Sequence, residues 1–238
     1  MATNFDRRTM TRADAAAADI DAGLRSYMLR VYNYMASGVA LTGIVAALVA
    51  SSPTLMQAIF GTPLKWVVML APLGVVMGMS FGINKMKAST AQALFWVFAA
   101  LMGASLSTIF ITFTGTSIAR VFFITAGAFT ALSLWGYTTK RDLSAMGAFL
   151  IMGLIGLVIA MVVNIFLQST MLHFVISGVG VLVFAGLTAW DTQKIKEMYV
   201  AADNSEIMGK KAVMGALTLY LDFINLFIFM LQFLGNRE

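Results

Sequence analysis

Several residue types that build soluble enzymes and metal centres are scarce or missing in this chain. It contains no cysteine, so neither a disulfide nor a thiolate metal site can form. Its single histidine, His173, excludes a histidine-rich zinc cluster. Only 11% of the 238 residues are charged, whereas soluble domains carry roughly 25%. These absences exclude common zinc chemistry and argue against a soluble domain.

Long apolar runs dominate what is present, since 60% of the residues are hydrophobic. Runs of about 17–25 apolar residues predict transmembrane helices. Seven such runs occur, at residues 31–50, 66–83, 91–113, 121–137, 145–167, 174–190 and 212–234. Residues 1–27 are polar and lack the apolar stretch of a signal peptide. We therefore predict a partly helical, partly disordered tail at 1–27 and an all-α domain of seven transmembrane helices at 28–238.

The basic residues are distributed unevenly between the two sides of this predicted topology. Of the 16 lysines and arginines, all but Lys65, Arg120 and Arg237 fall in the tail or in the second, fourth and sixth links. Such a bias marks the cytoplasmic side of a membrane protein. It predicts a cytoplasmic N-terminus and an external C-terminus. The net charge of +5 arises from residues flanking the spans, so no nucleic-acid partner is expected.

Two aspartates lie within or at the edge of these spans. Asp222 is inside the run 212–234, and Asp191 closes the run that begins at residue 174. A carboxylate at membrane depth costs roughly 2.5–3.5 kcal/mol on insertion scales, and such residues commonly handle ions or protons. With the membrane boundary near Gly215, the two aspartates come to a similar depth. They are the primary candidate site.

Other polar side chains share the helical faces of these aspartates or lie on the preceding span. The spacing places Thr218 and Asn225 with Asp222, and Thr188 with Asp191. The fifth span adds Asn164 and Gln168. Lipid cannot satisfy such groups. The pattern therefore predicts a polar interior between the last three spans, supported by these five residues. Separately, Gly74, Gly78 and Gly82 predict a packing groove on the second span.

Two short motifs around the aspartates resemble those of the Bax inhibitor-1 family. Trp190-Asp191-Thr192-Gln193 is similar to the signature that ends the sixth helix of that family. Residues 219–227, which contain Asp222, resemble its final-helix signature. Phe81-Gly82-Ile83 and Ala93-Leu94-Phe95-Trp96 resemble the bacterial YccA branch. The resemblance covers about residues 25–235.

The resemblance implies a fold, a site and a location. The last helix is expected to be central and wrapped by the other six. Asp191 and Asp222 match a pair whose protonation gates a calcium leak. Some family members have an arginine on the second helix that contacts this pair, but the second span here has none. The resemblance also implies a multi-pass protein of the inner membrane.

Close carboxylates in a low dielectric titrate as a coupled pair. A shared proton would tie the sixth span to the seventh, and its loss would leave a pair that a cation could bridge. Calcium suits such oxygen ligands. Two carboxylates are too few for tight binding, so Asp191 and Asp222 predict a weak, transient calcium site and no resident cofactor. The resulting hypothesis is a pH-sensitive calcium leak channel.

Two other functions remain open on the sequence. The YccA resemblance implies an interaction protein that modulates a membrane-anchored AAA protease, with the polar tail as the natural contact. The paired aspartates also suit an intramembrane aspartyl protease. However, the residues before Asp222 are Leu219, Tyr220 and Leu221, which do not match the Gly-x-Gly-Asp motif of those enzymes. The protein is therefore not expected to be an enzyme.

Overall fold

The structure is a computed structural model that describes residues 12–236, with side chains from residue 20 onward. These residues are almost entirely helical. The helices are α1 (Arg12–Ala50), α2 (Pro53–Phe60), α3 (Leu64–Gly82), α4 (Ala88–Leu106), α5 (Ile109–Thr112), α6 (Gly115–Thr138), α7 (Ser144–Leu167), α8 (Thr170–Glu197) and α9 (Ser205–Leu234). Seven helical segments in this range are long and apolar enough to cross a membrane, with α4 and α5 counted as one. The predicted seven-span, all-α class is confirmed.

Two helices differ in extent from the apolar runs because local capping sets where they begin. The short helix α2 occupies the first link, where Pro53 takes the first turn and the Ser52 hydroxyl accepts from the Leu55 amide at 3.4 Å. Helix α9 begins seven residues before the apolar run, since the Asn204 side chain accepts from the Ile207 amide at 2.8 Å. Hydropathy finds the membrane-spanning part of a helix, whereas caps determine its ends.

Helix α9 forms the centre of the bundle. In an apolar stretch of 18 residues within its span 67% of the residues are buried, against 11–33% in the corresponding stretches of the other six spans. It packs directly against α1, α4, α6 and α8, while α3 packs on α4 and α7 packs on α8. The central position predicted for the last helix is therefore present. Four helices form its immediate wall, and α3 and α7 lie mainly outside that wall.

Glycines allow some of these helices to approach each other closely, but not those on the second span. A Cβ added at Gly136 on α6 would overlap the backbone carbonyl of Ala189 on α8. By contrast, a Cβ built at Gly74 or Gly78 has no atom within 4 Å among the described residues, apart from its chain neighbours and the backbone of its own helix. The prediction that another helix packs closely along Gly74 and Gly78 is therefore wrong for the described part of this chain. Helix α3 turns Pro72 and Met79 inward instead.

Tyr27, in the first half of α1, packs against the connection between α8 and α9. Tyr27 is buried, and its ring centroid lies 5.8 Å from that of Tyr199. Helix α1 begins at Arg12, inside the segment that the sequence analysis assigned to the tail. Residues 1–11 lie outside the described part. The division at residue 27 and the partial disorder of the tail stay predictions.

The close contact between α6 and α8 gives a stability prediction. We expect Gly136→Ala to lower the free energy of unfolding by about 1–3 kcal/mol, because the added methyl group meets backbone rather than a mobile side chain. Gly127→Ala on the same helix is the matched control, since nothing lies within 4 Å of its Cβ. The control should be neutral or stabilising by up to about 1 kcal/mol. Unfolding by a denaturing detergent in mixed micelles measures both, and equal stability of the two variants would contradict the packing.

Candidate paired-carboxyl site

Asp191 and Asp222 lie side by side at the interface between α8 and α9. Their side chains are close enough for a hydrogen bond to join them when one holds a proton. Both residues are buried, with 8% of Asp191 and 5% of Asp222 exposed. The structure therefore brings together the two candidates that the sequence places on separate helices.

The two aspartates are level although they stand at different distances from their helix ends. Asp191 is roughly 9 Å from Glu197 at the end of α8, and Asp222 is roughly 26 Å from Ser205 at the start of α9, at 1.5 Å per residue. The first turns of α9 carry Lys210 and Lys211 and extend past the end of α8. This extension supplies the offset that the pairing requires.

Both carboxyl groups face a cavity of about 550 Å³ between α7, α8 and α9. Its polar lining comes mainly from α9, where Thr218, Asn225 and Gln232 follow the same face as Asp222. Apolar side chains of α7 form the opposite wall. The cavity therefore lies between a polar stripe on α9 and an apolar face of α7, as expected where a helix turns its polar face away from lipid.

Some polar side chains in this cavity keep an acceptor oxygen free. The Asn225 amide nitrogen donates to the Leu221 carbonyl at 2.8 Å, which leaves its side-chain oxygen available. The Thr218 hydroxyl donates to the Met214 carbonyl at 3.1 Å. One carboxyl oxygen of Asp222, Oδ2, is buried without a hydrogen-bond partner among the described residues. Buried unpaired acceptors are costly, so such a site favours a proton, water or a cation.

Three predicted supporting residues are placed elsewhere. Thr188 is buried but donates its hydroxyl to the Phe184 carbonyl of its own helix at 2.8 Å, and it does not line the cavity. Asn164 accepts from the Ser169 amide at 3.0 Å, and Gln168 ends α7 in a left-handed conformation with φ 50°. This turn is about 33 Å along α8 from Asp191. The prediction that these residues support the pair is not met, because they cap or stabilise helices locally.

The residues that follow Asp191 have a positioning role that sequence reasoning missed. The Gln193 side chain accepts from the Leu143 amide and donates to the Arg141 carbonyl, both at 2.8 Å, so it ties α8 to the loop before α7. Thr192 shares a hydrogen bond of 2.8 Å with Ser133 on α6. These bonds fix the rotation of α8 and hence the direction of Asp191. The sequence feature that indicates this role is the run of three consecutive polar residues, Asp191 to Gln193, near the end of an apolar helix.

A positively charged side chain, that of Lys194, lies on α8 close to Asp191 in the sequence. Lys194 follows Asp191 by one turn, and its ammonium lies 4.9 Å from the ring centroid of Trp190. Trp190 itself lines the cavity. Within residues 20–236, no three acidic or histidine side chains converge on one point. The side-chain oxygen atoms that line the cavity are therefore those of two carboxyl groups, two amides and a hydroxyl.

Taken together, six apolar helices around a buried last helix, with a carboxyl pair between the final two, define a multi-pass membrane protein with an intramembrane acidic site. The family model described as inhibitor of apoptosis-promoting Bax1 matches residues 24–238, and this chain belongs to that family. The predicted family resemblance is thus confirmed.

Bacterial relatives match nearly the whole chain. The inner membrane protein YbhL of Escherichia coli is 46% identical over 220 residues, covering 91% of this chain and 94% of that protein. An uncharacterized protein of Rickettsia prowazekii is 53% identical over 218 residues, covering 92% of each. These relatives and the seven apolar helices support a multi-pass inner membrane protein. The sides on which its termini lie stay a prediction.

Because the chain lacks cysteine, the polarity of the cavity can be tested with single introduced thiols. Water in the cavity would stabilise the thiolate form of a cysteine there, and the thiolate is the form that reacts. We expect Asn225→Cys to react with a small membrane-impermeant methanethiosulfonate reagent. Leu226→Cys is the control, because Leu226 is fully buried on another face of α9. An unreactive Asn225→Cys, or equal reaction of both variants, would contradict a water-accessible cavity.

Proposed function

We propose that this protein is a pH-sensitive cation leak channel, with calcium as the cation and the Asp191–Asp222 pair as the gate. The observation that carries the proposal is the buried Oδ2 of Asp222, which receives no hydrogen bond from a donor group among the described residues and lies beside Asp191 in a cavity of about 550 Å³. A packing role alone would be served by an amide, which brings its own donor. An acceptor-rich pair is suited to exchanging a proton for a cation.

Electrostatics gives the pair two alternative occupants. Two like charges 4 Å apart repel by about 4 kcal/mol at an effective dielectric of 20. A proton shared between the carboxyl groups removes this repulsion and ties α8 to α9. A divalent cation removes it as well, because it neutralises both charges and accepts oxygen ligands in flexible geometry. Competition between proton and cation at one site makes flux depend on pH.

The architecture also suggests which wall of the cavity moves. Helix α9 is held on several sides, whereas α7 packs chiefly on α8 and only 11% of its span is buried. The apolar face of α7 closes the cavity opposite the polar stripe. A small displacement of α7 therefore widens the cavity at little cost in packing. In this proposal the pair controls the α8–α9 contact, and α7 supplies the flexible wall.

Calcium flux into proteoliposomes tests the gate. We expect wild-type flux to change with pH, and Asp191→Asn and Asp222→Asn each to abolish that change, because either amide removes the shared titration. The double variant should add little, since coupled residues are not additive. Asp142→Asn, at a fully exposed carboxyl group in the α6–α7 connection, is the control and should keep the wild-type profile. Wild-type pH profiles in both single variants would refute the gate.

The same experiment separates the channel from an interaction role. Purified protein that transports no cation at any pH, while remaining folded, would contradict the channel. That result would favour an adaptor whose activity requires a partner, such as the membrane-anchored AAA protease that the resemblance implies. Cation flux in proteoliposomes that contain only the purified protein would show that transport requires no partner.

One feature of the site also suits a proteolytic role. Aspartic proteases use two carboxyl groups that share a proton, and a cavity beside such a pair could admit a peptide. The sequence before Asp222 lacks the motif of the intramembrane enzymes, so we favour a non-enzymatic function. Incubation with labelled single-span peptides should give no cleavage. Cleavage that disappears in Asp222→Asn would replace the channel proposal with an enzymatic one.

A further inference from the structure

A second large cavity lies on another side of α9, between α1 and α6. Its volume is about 560 Å³, close to that of the cavity at the carboxyl pair. Its lining is mostly apolar, with Met28 and Met35 from α1, Phe129 from α6 and Phe223 from α9. None of the proposed gate residues lines it. A ligand in this cavity would therefore be separate from any cation at the carboxyl pair.

The cavity follows a seam between two helices that face the bilayer. Helices α1 and α6 both pack on α9, but they do not pack extensively on each other. A hydrogen bond of 2.7 Å between the Tyr32 and Ser133 hydroxyls bridges the seam. The lining extends from Arg25 to Val39 along α1, about 21 Å at 1.5 Å per residue. The length exceeds half of the roughly 30 Å hydrocarbon core, so the seam can accommodate a chain from one leaflet.

Charge is concentrated at one end of this seam. Arg25 lines the mouth, is exposed and forms no ion pair with any side chain of residues 20–236. Lys196 adds a second positive charge beside Tyr137, another lining residue, because its ammonium donates to the Tyr137 carbonyl at 2.8 Å. Guanidinium groups bind phosphate with two parallel hydrogen bonds. The mouth is thus complementary to an anion, and the rest of the seam to hydrocarbon.

From this geometry we infer that the seam binds one acyl chain of an anionic phospholipid, whose headgroup phosphate contacts Arg25. The positive charge at the mouth favours a ligand that joins an anionic group to hydrocarbon, as a phospholipid does, over an apolar helix of a second protein. The apolar length of the seam excludes a free anion as the whole ligand. The inference is independent of the proposed channel function.

Native mass spectrometry of protein released from nanodiscs of phosphatidylcholine and phosphatidylglycerol tests this site. We expect wild-type protein to retain one phosphatidylglycerol in preference to phosphatidylcholine. Arg25→Gln should reduce that preference roughly tenfold, the size of effect expected for losing a charged hydrogen bond. Arg30→Gln is the matched control, because Arg30 lies one turn further along α1 and does not line the seam. It should keep the wild-type preference.

A second variant tests the hydrocarbon part. Ala126→Trp fills the seam from α6 and should abolish lipid retention while the helical content stays unchanged. The lipid should stay bound in the presence of excess inorganic phosphate. Displacement of the lipid by phosphate would contradict a role for the acyl chain. If the tryptophan variant does not fold, the two arginine variants still decide. Wild-type preference in Arg25→Gln, or none in the wild-type protein, would overturn the proposal.

Discussion

The contact between Asp191 and Asp222 is the constraint on which the arrangement of the last two helices depends. Two carboxyl groups can be held together inside a membrane only if protein shields them from lipid and a proton or cation offsets their repulsion. Burial of α9 at the centre of the bundle supplies the shield. The other faces of α9 must therefore be satisfied by close packing.

A polar contact on a different side of α9 helps to hold that helix in place. The Tyr220 hydroxyl, two residues before Asp222, lies 2.6 Å from the Thr42 hydroxyl, which donates to the Ala99 carbonyl at 2.8 Å. This chain joins α9 to α1 and α4. The ring of Tyr220 packs edge-on against Phe98 with centroids 5.1 Å apart. Gln193 and Thr192 orient α8 in a comparable way, so both sides of the carboxyl pair are positioned by neutral hydrogen bonds.

The sequence predicts the spans well and singles out the two aspartates as candidates, because both inferences depend on local physics. An apolar run long enough to cross lipid must be helical there, and a lone carboxylate in such a run is conspicuous. The stripe of Thr218, Asp222 and Asn225 follows from helical periodicity alone. The register between α8 and α9 is harder to predict from sequence, since it depends on how far α9 extends beyond the membrane. The two aspartates come to the same depth only if the membrane boundary lies near Gly215.

Other features depend on tertiary contacts that a single sequence does not reveal. Asn164 has the right chemistry for a polar interior, yet its position near the end of α7 commits it to a turn. Gly74 and Gly78 have the spacing of a packing surface, but α3 presents a different face to α4. The seam between α1 and α6 has no sequence signature, because it is created by two helices that share a neighbour without filling the space between them.

Infrared spectroscopy of the carboxyl groups tests the central claim most directly. Spectra of the protein in lipid, with and without ¹³C-labelled aspartate, would follow the carbonyl band of protonated aspartate across a pH series. The account predicts a labelled band that titrates over the same pH range as calcium flux in the same preparation, and a changed titration in Asp191→Asn. A band that is absent at every pH, or that titrates in a range where flux is constant, would contradict a proton shared by Asp191 and Asp222 as the gate.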